Sequence, residues 1–316
     1  MQLKEASNER DLDQLTQGAR VFARVEPRQK LDIVHSLQRN GHFVAVSGDG
    51  ANDAPALRAA HVGVAMGKSG TDLARETADL VITDDNFASI VAGIEEGRVA
   101  YTNVRKVIFL LISTGAAELV LFILALFMGI PLPLLAVQLL WLNLVTNGIQ
   151  DIALAFEPSE GDELKKPPRQ PSEAIFNRLM IERVIYSAIT IGGIAFLVFQ
   201  WLLQNGYSID EARNGTLLLM VLFENVQVFN SRSETTSIFR QKFFSNRILL
   251  IGTLTAQLIH IAAMYTPGLN TVLGIQPVSP EHWLELFAIA LILLFVMEMH
   301  KWIKLKTNNT KYRNTN

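Results

Sequence analysis

The sequence predicts a mixed fold, with a partial α/β domain on a parallel sheet up to residue 86 and then a transmembrane domain of six α-helices. Three observations carry this reading. Short β-branched runs alternate with helix-forming stretches between Val21 and Ile82. From Val107 onward, apolar runs near the 20 residues needed to cross a bilayer recur six times. Lys and Arg then sort to one set of the connecting loops.

Within the first domain, Val21–Val25, Phe43–Val46, Gly63–Ala65 and Leu80–Ile82 are the strand candidates. Pro27–Gln38, Ala54–Ala60 and Ser69–Thr77 read as the helices between them, which makes the sheet parallel with crossover helices. Pro55 suits the first turn of its helix. Phe87–Lys106 is one amphipathic stretch of good helix formers leading into the membrane. The six spans are Val107–Ile130, Leu134–Phe156, Leu179–Leu203, Gly215–Asn230, Ile248–Tyr265 and His282–Ile303, the fourth being the shortest and most polar. Residues 304–316 form a tail, disordered from Asn308.

Charge sets the orientation. Lys165, Lys166, Arg169, Arg178, Arg183, Arg232, Arg240, Lys242, Arg247, Lys301, Lys304, Lys306, Lys311 and Arg313 fall on one side, against Arg213 alone on the other. The positive-inside rule then puts both chain ends in the cytoplasm. Trp141, Trp201, Trp283 and Trp302 lie mostly near span ends, where aromatic residues anchor. The 49% hydrophobic content and mean hydropathy of +0.25 are concentrated after residue 106. A net charge of −2 gives no basis for nucleic-acid binding, and the absence of cysteine excludes disulfides, zinc–thiolate sites and thiol nucleophiles in these 316 residues.

The most informative string is Val46–Gly67, VSGDGANDAPALRAAHVGVAMG. Gly48 and Gly50 turn the chain at the carboxyl end of a buried strand, which leaves Asp49, Asn52 and Asp53 where open α/β sheets bind ligands. Acids converging there suit Mg²⁺, which takes one or two carboxylates, waters and a substrate phosphate. Gly-Asp-Gly alone is also ordinary turn chemistry.

The whole string closely resembles the hinge motif of P-type ion-pumping ATPases, whose phosphorylation domain belongs to the haloacid-dehalogenase superfamily. Val21–Leu31, VFARVEPRQKL, resembles that family's preceding strand and loop, whose phosphate-binding lysine would be Lys30 here. The resemblance extends from about Leu15 to Lys301. It implies Mg²⁺ coordination by Asp49, a charge contact from Lys30 to the phosphoryl group, a hydrogen bond from Asn52 to a phosphoryl oxygen, and a network held by Asp53. It also implies ATP as the phosphoryl donor of the complete pump. The family's DKTGT phosphorylation motif and TGE motif do not occur in these residues. The chain therefore reads as the C-terminal portion of a pump. Its phosphorylation domain would end at 86, its stalk would be 87–106, and its cation-transport domain 107–303 would hold transmembrane helices five to ten. The expected partners are the bilayer, the transported cation and an N-terminal half with actuator, nucleotide-binding domain and four further helices. A rival reading is a non-catalytic membrane protein that binds cations or a partner subunit.

Ionisable groups inside apolar spans are costly and mark functional sites by default. Glu118 lies mid-span in STGAAELVLF, and WLNLVTNGIQD carries Asn143, Thr146, Asn147, Gln150 and Asp151. Asn143, Asn147 and Asp151 are four apart and share a helical face. Gly148 is a place where that helix loosens and frees carbonyls. Glu224 has Asn225 and Gln227 beside it, both open to an interhelical hydrogen-bonding role. Oxygen donors of this kind suit Ca²⁺, Na⁺, K⁺ or a proton and not a soft metal. Around ISTGAAELV and LLWLNLVTNGI the resemblance is closest to calcium pumps, and it implies ligand roles for Glu118, Asn143, Thr146 and Glu224. Gly115 and Asn147 depart from that branch, which usually has asparagine and aspartate there, so Asp151 becomes the candidate for the displaced carboxylate. Ca²⁺ is favoured, with Na⁺, K⁺ and H⁺ left open. His260 and His300 read as packing or interfacial groups.

Overall fold

Strands β1 (Ala45–Gly48), β2 (Val62–Met66) and β3 (Leu80–Ile82) form one parallel sheet in that order, with Val46 opposite Gly63 and Val64 opposite Leu80. The structure is a computed structural model, and it describes residues 8–169 and 173–313. The chain divides into two units, with the division between Glu95 and Glu96.

In the first unit, α1 (Glu9–Gly18) and α2 (Pro27–Arg39) precede the sheet, and α3 (Ala54–Ala59) and α4 (Asp72–Thr77) are its crossovers. Pro27 opens α2, and the Gln29 side chain accepts the Glu26 amide at 2.9 Å, closing a capping box. Val34, Val44, Val46, Leu57, Ala65 and Ala74 form the core that holds the helices on the sheet. Helix α1 had no counterpart in the sequence reading; it is tied to α2 by Thr16 Oγ1 against Ser36 Oγ at 2.8 Å and by Arg39 on Asp13.

Three expectations need correction. Val21–Val25 is not a strand: Arg24 has φ of 54°, which breaks an extended run, and Val21 is 82% exposed. The strand expected at Phe43–Val46 lies two residues later, because Phe43 stacks on His61 outside the sheet. The helix expected from Ser69 starts at Asp72, where Thr71 caps it.

In the second unit, α5 (Ala88–Phe127) fuses the expected stalk and first span into one 40-residue helix. Its first residues belong to the other side of the Glu95/Glu96 division. Next come α6 (Ala136–Trp141), a π-helical turn (Leu142–Thr146), α7 (Asn147–Ala155), α8 (Arg178–Gln204), α9 (Ile209–Ser231), α10 (Arg247–Tyr265), α11 (Leu269–Leu273) and α12 (Pro280–Arg313). Among the described residues four helices are long and apolar enough to cross a membrane: α5, α8, α10 and Pro280–Lys306 of α12. The expected second span is broken at the π turn, and the fourth corresponds to α9, which is too polar to qualify. That polarity has a packing reason. Helix α9 is buried along most of its length, against α8 and α12 among others, so it meets little lipid. Helix α12 continues past Asn308, where a disordered tail was expected, and 314–316 lie outside the described residues.

Ion pairs gather where the loops after α7 and α9 meet the helices around them. Arg105 pairs with Glu234 at 3.0 Å, Lys106 with Glu160 at 3.1 Å and Arg232 with Glu157 at 2.9 Å. Glu163 is enclosed in the same loop, where burial raises its pKa. Ser159 and the Glu160 and Gly161 amides outweigh that and hold it down at about 2.

Back in the first unit, Asp85 accepts the Lys68 amide at 2.8 Å and the Ser69 amide at 2.7 Å. The Lys68 amide is the main cause that lowers its pKa, so this clamp is complete above about pH 4 and is lost as pH falls further. We expect the Lys68 and Ser69 amides of wild type to lose protection from exchange only as pH falls well below about 4. Asp85→Asn should lose that protection already at neutral pH, since the left-handed backbone (φ 56°) suits asparagine while the charge is gone.

Candidate functional site

The end of β1 is shaped by a contact that only glycine permits. A Cβ on Gly48 would stand 2.5 Å from the Cβ of Asp53, so the absence of a side chain lets the short helical turn Ala51–Asp53 fold back onto the strand. Asp53 Oδ2 then accepts the Asp49 and Gly50 amides, each at 3.2 Å, and its Oδ1 receives Lys30 Nζ at 2.8 Å. Burial raises the Asp53 pKa, but Lys30 and the two amides outweigh it and keep the carboxylate below its ordinary range. Lys30 also reaches the Ser47 carbonyl at 3.4 Å.

Asp49 and Asn52 lie exposed beside this network. The Asp49 carbonyl accepts the Thr71 amide at 2.8 Å, so the loop clamped by Asp85 also fixes the Asp49 backbone. The arrangement brings Lys30 and Asp53 into contact and leaves Asp49 and Asn52 open to a ligand. One free carboxylate at a strand end, with room for water around it, fits Mg²⁺.

In the second unit the π turn and α7 present two polar rows. Asn143 and Asn147 face α5: Asn143 Nδ2 donates to Glu118 at 3.0 and 3.2 Å, and Asn147 Nδ2 donates to Thr114 Oγ1 at 3.1 Å. Thr146 and Gln150 face α9: Thr146 Oγ1 hydrogen-bonds the Glu224 carboxylate, and Gln150 Nε2 donates to Asn225 Oδ1 at 2.7 Å. Asn225 in turn donates to Gln257 of α10 at 2.6 Å. Gln227 stands apart from these rows, donating to Ser113 at 2.9 Å and Ser187 at 3.0 Å. Glu224, Thr146, Asn147 and Gln150 are fully or almost fully buried, Glu118 and Asp151 are half-buried, and Asn143 is exposed.

Several buried oxygens have no donor. Among the described residues, Glu224 Oε1, Asn147 Oδ1, Gln150 Oε1 and Asp151 Oδ1 lack a hydrogen-bond partner. Among the described residues no group of three His, Cys, Asp or Glu side chains stands close enough to hold a metal, so amides and hydroxyls would make up any oxygen cage here. The helix loosening expected at Gly148 lies instead at the π turn Leu142–Thr146, and Gly148 itself is inside α7. Thr114 and Gln257 escaped the sequence reading. Thr114 stands one helical turn before Glu118, a spacing that could have flagged it. Gln257 is an amide in an apolar helix, a weaker sign.

Behind Glu118, α5 and α8 touch backbone to side chain. A Cβ on Gly192 would lie 2.4 Å from the Ala117 carbonyl and 2.7 Å from Val120 Cβ. Such small-residue contacts set helix separation in membranes. Gly192→Ala should therefore push α5 and α8 apart, displace Glu118 from Asn143 and cost about 1–3 kcal/mol of stability, as overpacking of a tight contact does. Gly193→Ala, where a Cβ meets nothing within 4 Å, is the control when thermal unfolding of the two variants is compared.

Comparison with known proteins places both units. Residues 131–303 match the family of the cation-transporting ATPase C-terminus, and residues 31–94 match haloacid dehalogenase-like hydrolases. The probable cation-transporting ATPase F of Mycobacterium tuberculosis is 39% identical over 279 residues, 88% of this chain and 31% of that protein. A calcium-transporting ATPase of Bacillus subtilis is 38% identical over 296 residues, 93% of this chain and 33% of that protein. The human calcium-transporting ATPase type 2C member 1 is 35% identical over 300 residues, 95% of this chain and 33% of that protein. The chain thus spans about a third of the length of the curated relatives it matches. With more than half of its residues inside the first match, the chain belongs to the P-type cation-transporting ATPases and carries their C-terminal region.

Proposed function

We propose that this chain is the part of a P-type pump that binds a hard cation within the bilayer and completes the phosphorylation site in the cytoplasm. The observation that carries the reading is the set of four buried, donor-free oxygens on Asn147, Gln150, Asp151 and Glu224. A buried acceptor left unpaired costs about 1–3 kcal/mol, which a dehydrated cation recovers by taking those oxygens as ligands. Glu118, Asn143 and Thr146 complete the set. Three carboxylates, and relatives named calcium-transporting, favour Ca²⁺ over Na⁺, K⁺ or H⁺. The half-buried Glu118 and exposed Asn143 mark where helices of the pump's N-terminal half would cover the site.

All six spans cross the bilayer in this reading. The break at the π turn supplies ligands, and α9 is shielded from lipid by its neighbours. The ion pairs joining α5 to the loops after α7 and α9 lie on the Lys- and Arg-rich side, which supports a cytoplasmic location for both chain ends. The boundaries at 86, 106 and 303 separate phosphorylation domain, stalk and transport domain.

In the first unit, Mg²⁺ held by Asp49 would neutralise charge on a phosphoryl group donated by ATP. Lys30 offers positive charge from a position set by Asp53, and Asn52 offers an amide donor from the helical turn.

Three measurements test this. In a complete pump, Glu118→Gln should reduce Ca²⁺ flux more than Glu224→Gln, and Asp49→Asn should nearly abolish turnover while sparing cation occupancy. Unchanged flux in both glutamate variants would remove the cation site. The 316 residues by themselves, lacking a DKTGT motif, are expected to form no acid-stable phosphoenzyme from ATP. Robust labelling of the purified chain would refute that.

A further inference from the structure

His260, on the fifth apolar helix, is wholly buried and belongs to neither polar row of the second span. Its Nδ1 accepts the indole Nε1–H of Trp141 at 3.0 Å. An indole nitrogen only donates, so the ring nitrogen facing it carries no proton. A neutral imidazole then has its proton on Nε2, which has no partner among the described residues. Two consequences are chemical. The cationic form would place a second N–H against the indole N–H, so this bond exists only with neutral His260. With Nε2 protonated, His260 is also no metal ligand in this arrangement.

Trp141 is the residue immediately before the π turn Leu142–Thr146, whose Asn143 and Thr146 hold Glu118 and Glu224. Helix α10 packs on that turn and on α7. The elements around His260 carry few charges of their own. Helix α11 has none, α7 has Asp151, and α9 has Glu224 at this depth, with Asp210, Glu211 and Arg213 at its far end; none of these hydrogen-bonds or ion-pairs with His260.

We propose that neutral His260 is a positioning residue for the cation site: it anchors Trp141, and through it the π turn, and lets both go when it takes up a proton. This rests on the cation-site reading above. Glutamine at 260 offers Trp141 an acceptor at every pH, while leucine offers none.

The test uses the 316-residue chain in lipid nanodiscs, with Trp201, Trp283 and Trp302 changed to Phe so that Trp141 is the sole indole. Trp141 emission should titrate with pH in the His260 chain and stay flat in His260→Gln and His260→Leu, the Leu emission matching the acid form of the parent. Equilibrium binding of ⁴⁵Ca²⁺ at neutral pH, measured with the same variants in a complete pump, should be kept by His260→Gln and weakened about fivefold by His260→Leu, the worth of one hydrogen bond. Acidification should weaken binding less in His260→Gln than in the parent, since only the carboxylates then compete with protons. A Trp141 signal that ignores pH, or that titrates equally in His260→Gln, overturns the proposal. So does equal Ca²⁺ affinity in all three chains. If the complete pump binds no Ca²⁺ while Trp141 titrates only with His260 present, the cation-site reading fails and the anchor itself stands.

Discussion

The carboxylate of Glu224 imposes the main constraint on the second unit. It sits on a helix closed in by protein, where an ionisable group needs close polar partners or a bound charge. The nearest partner is Thr146, on a stretch of backbone that has left regular α geometry. Polar groups on α9 continue the demand. Asn225 recruits Gln150 and Gln257, and Gln227 recruits Ser113 and Ser187, so that α5, α7, α8 and α10 each give a polar residue to the same helix. These contributors are apolar elsewhere because their other faces meet lipid. One buried helix rich in amides thus explains both its own low hydropathy and the composition of its neighbours.

The first unit obeys a smaller constraint of the same type. Asp53 collects two amides and a lysine, and that collection is compatible with the strand only because Gly48 has no side chain. Asp49 is kept out of the network and stays available. A carboxylate that organises and a carboxylate that remains free, four residues apart, is an economical way to build a site for a charged ligand.

Local chemistry was legible in the sequence, and partnership was not. Leu80–Ile82 and the helix opened by Pro27 follow from β-branched runs and a proline at the first turn, and both stand where the residues indicate. Val21–Val25 has a strand's composition but no neighbour to pair with, and a strand exists only by pairing. Glu118, Asn143, Thr146, Asn147 and Glu224 drew attention as polar groups in apolar runs. That Thr146 would turn to Glu224 while Asn147 turned to Thr114 depends on helix rotation, which hydropathy does not encode. The link between Trp141 and His260 was hidden for the same reason: each reads singly as an anchor or a packing group.

The π turn also sets how α7 is rotated relative to α6. A π-helical turn accommodates one residue more than an α turn, and each residue of an α-helix advances the side-chain direction by about 100°. Residues after Leu142–Thr146 are therefore turned by roughly that angle from where an uninterrupted α-helix would point them. The meeting of Gln150 with Asn225, and of Asn147 with Thr114, depends on that extra residue. A single extra residue in the backbone thus decides which polar side chains meet which neighbouring helix.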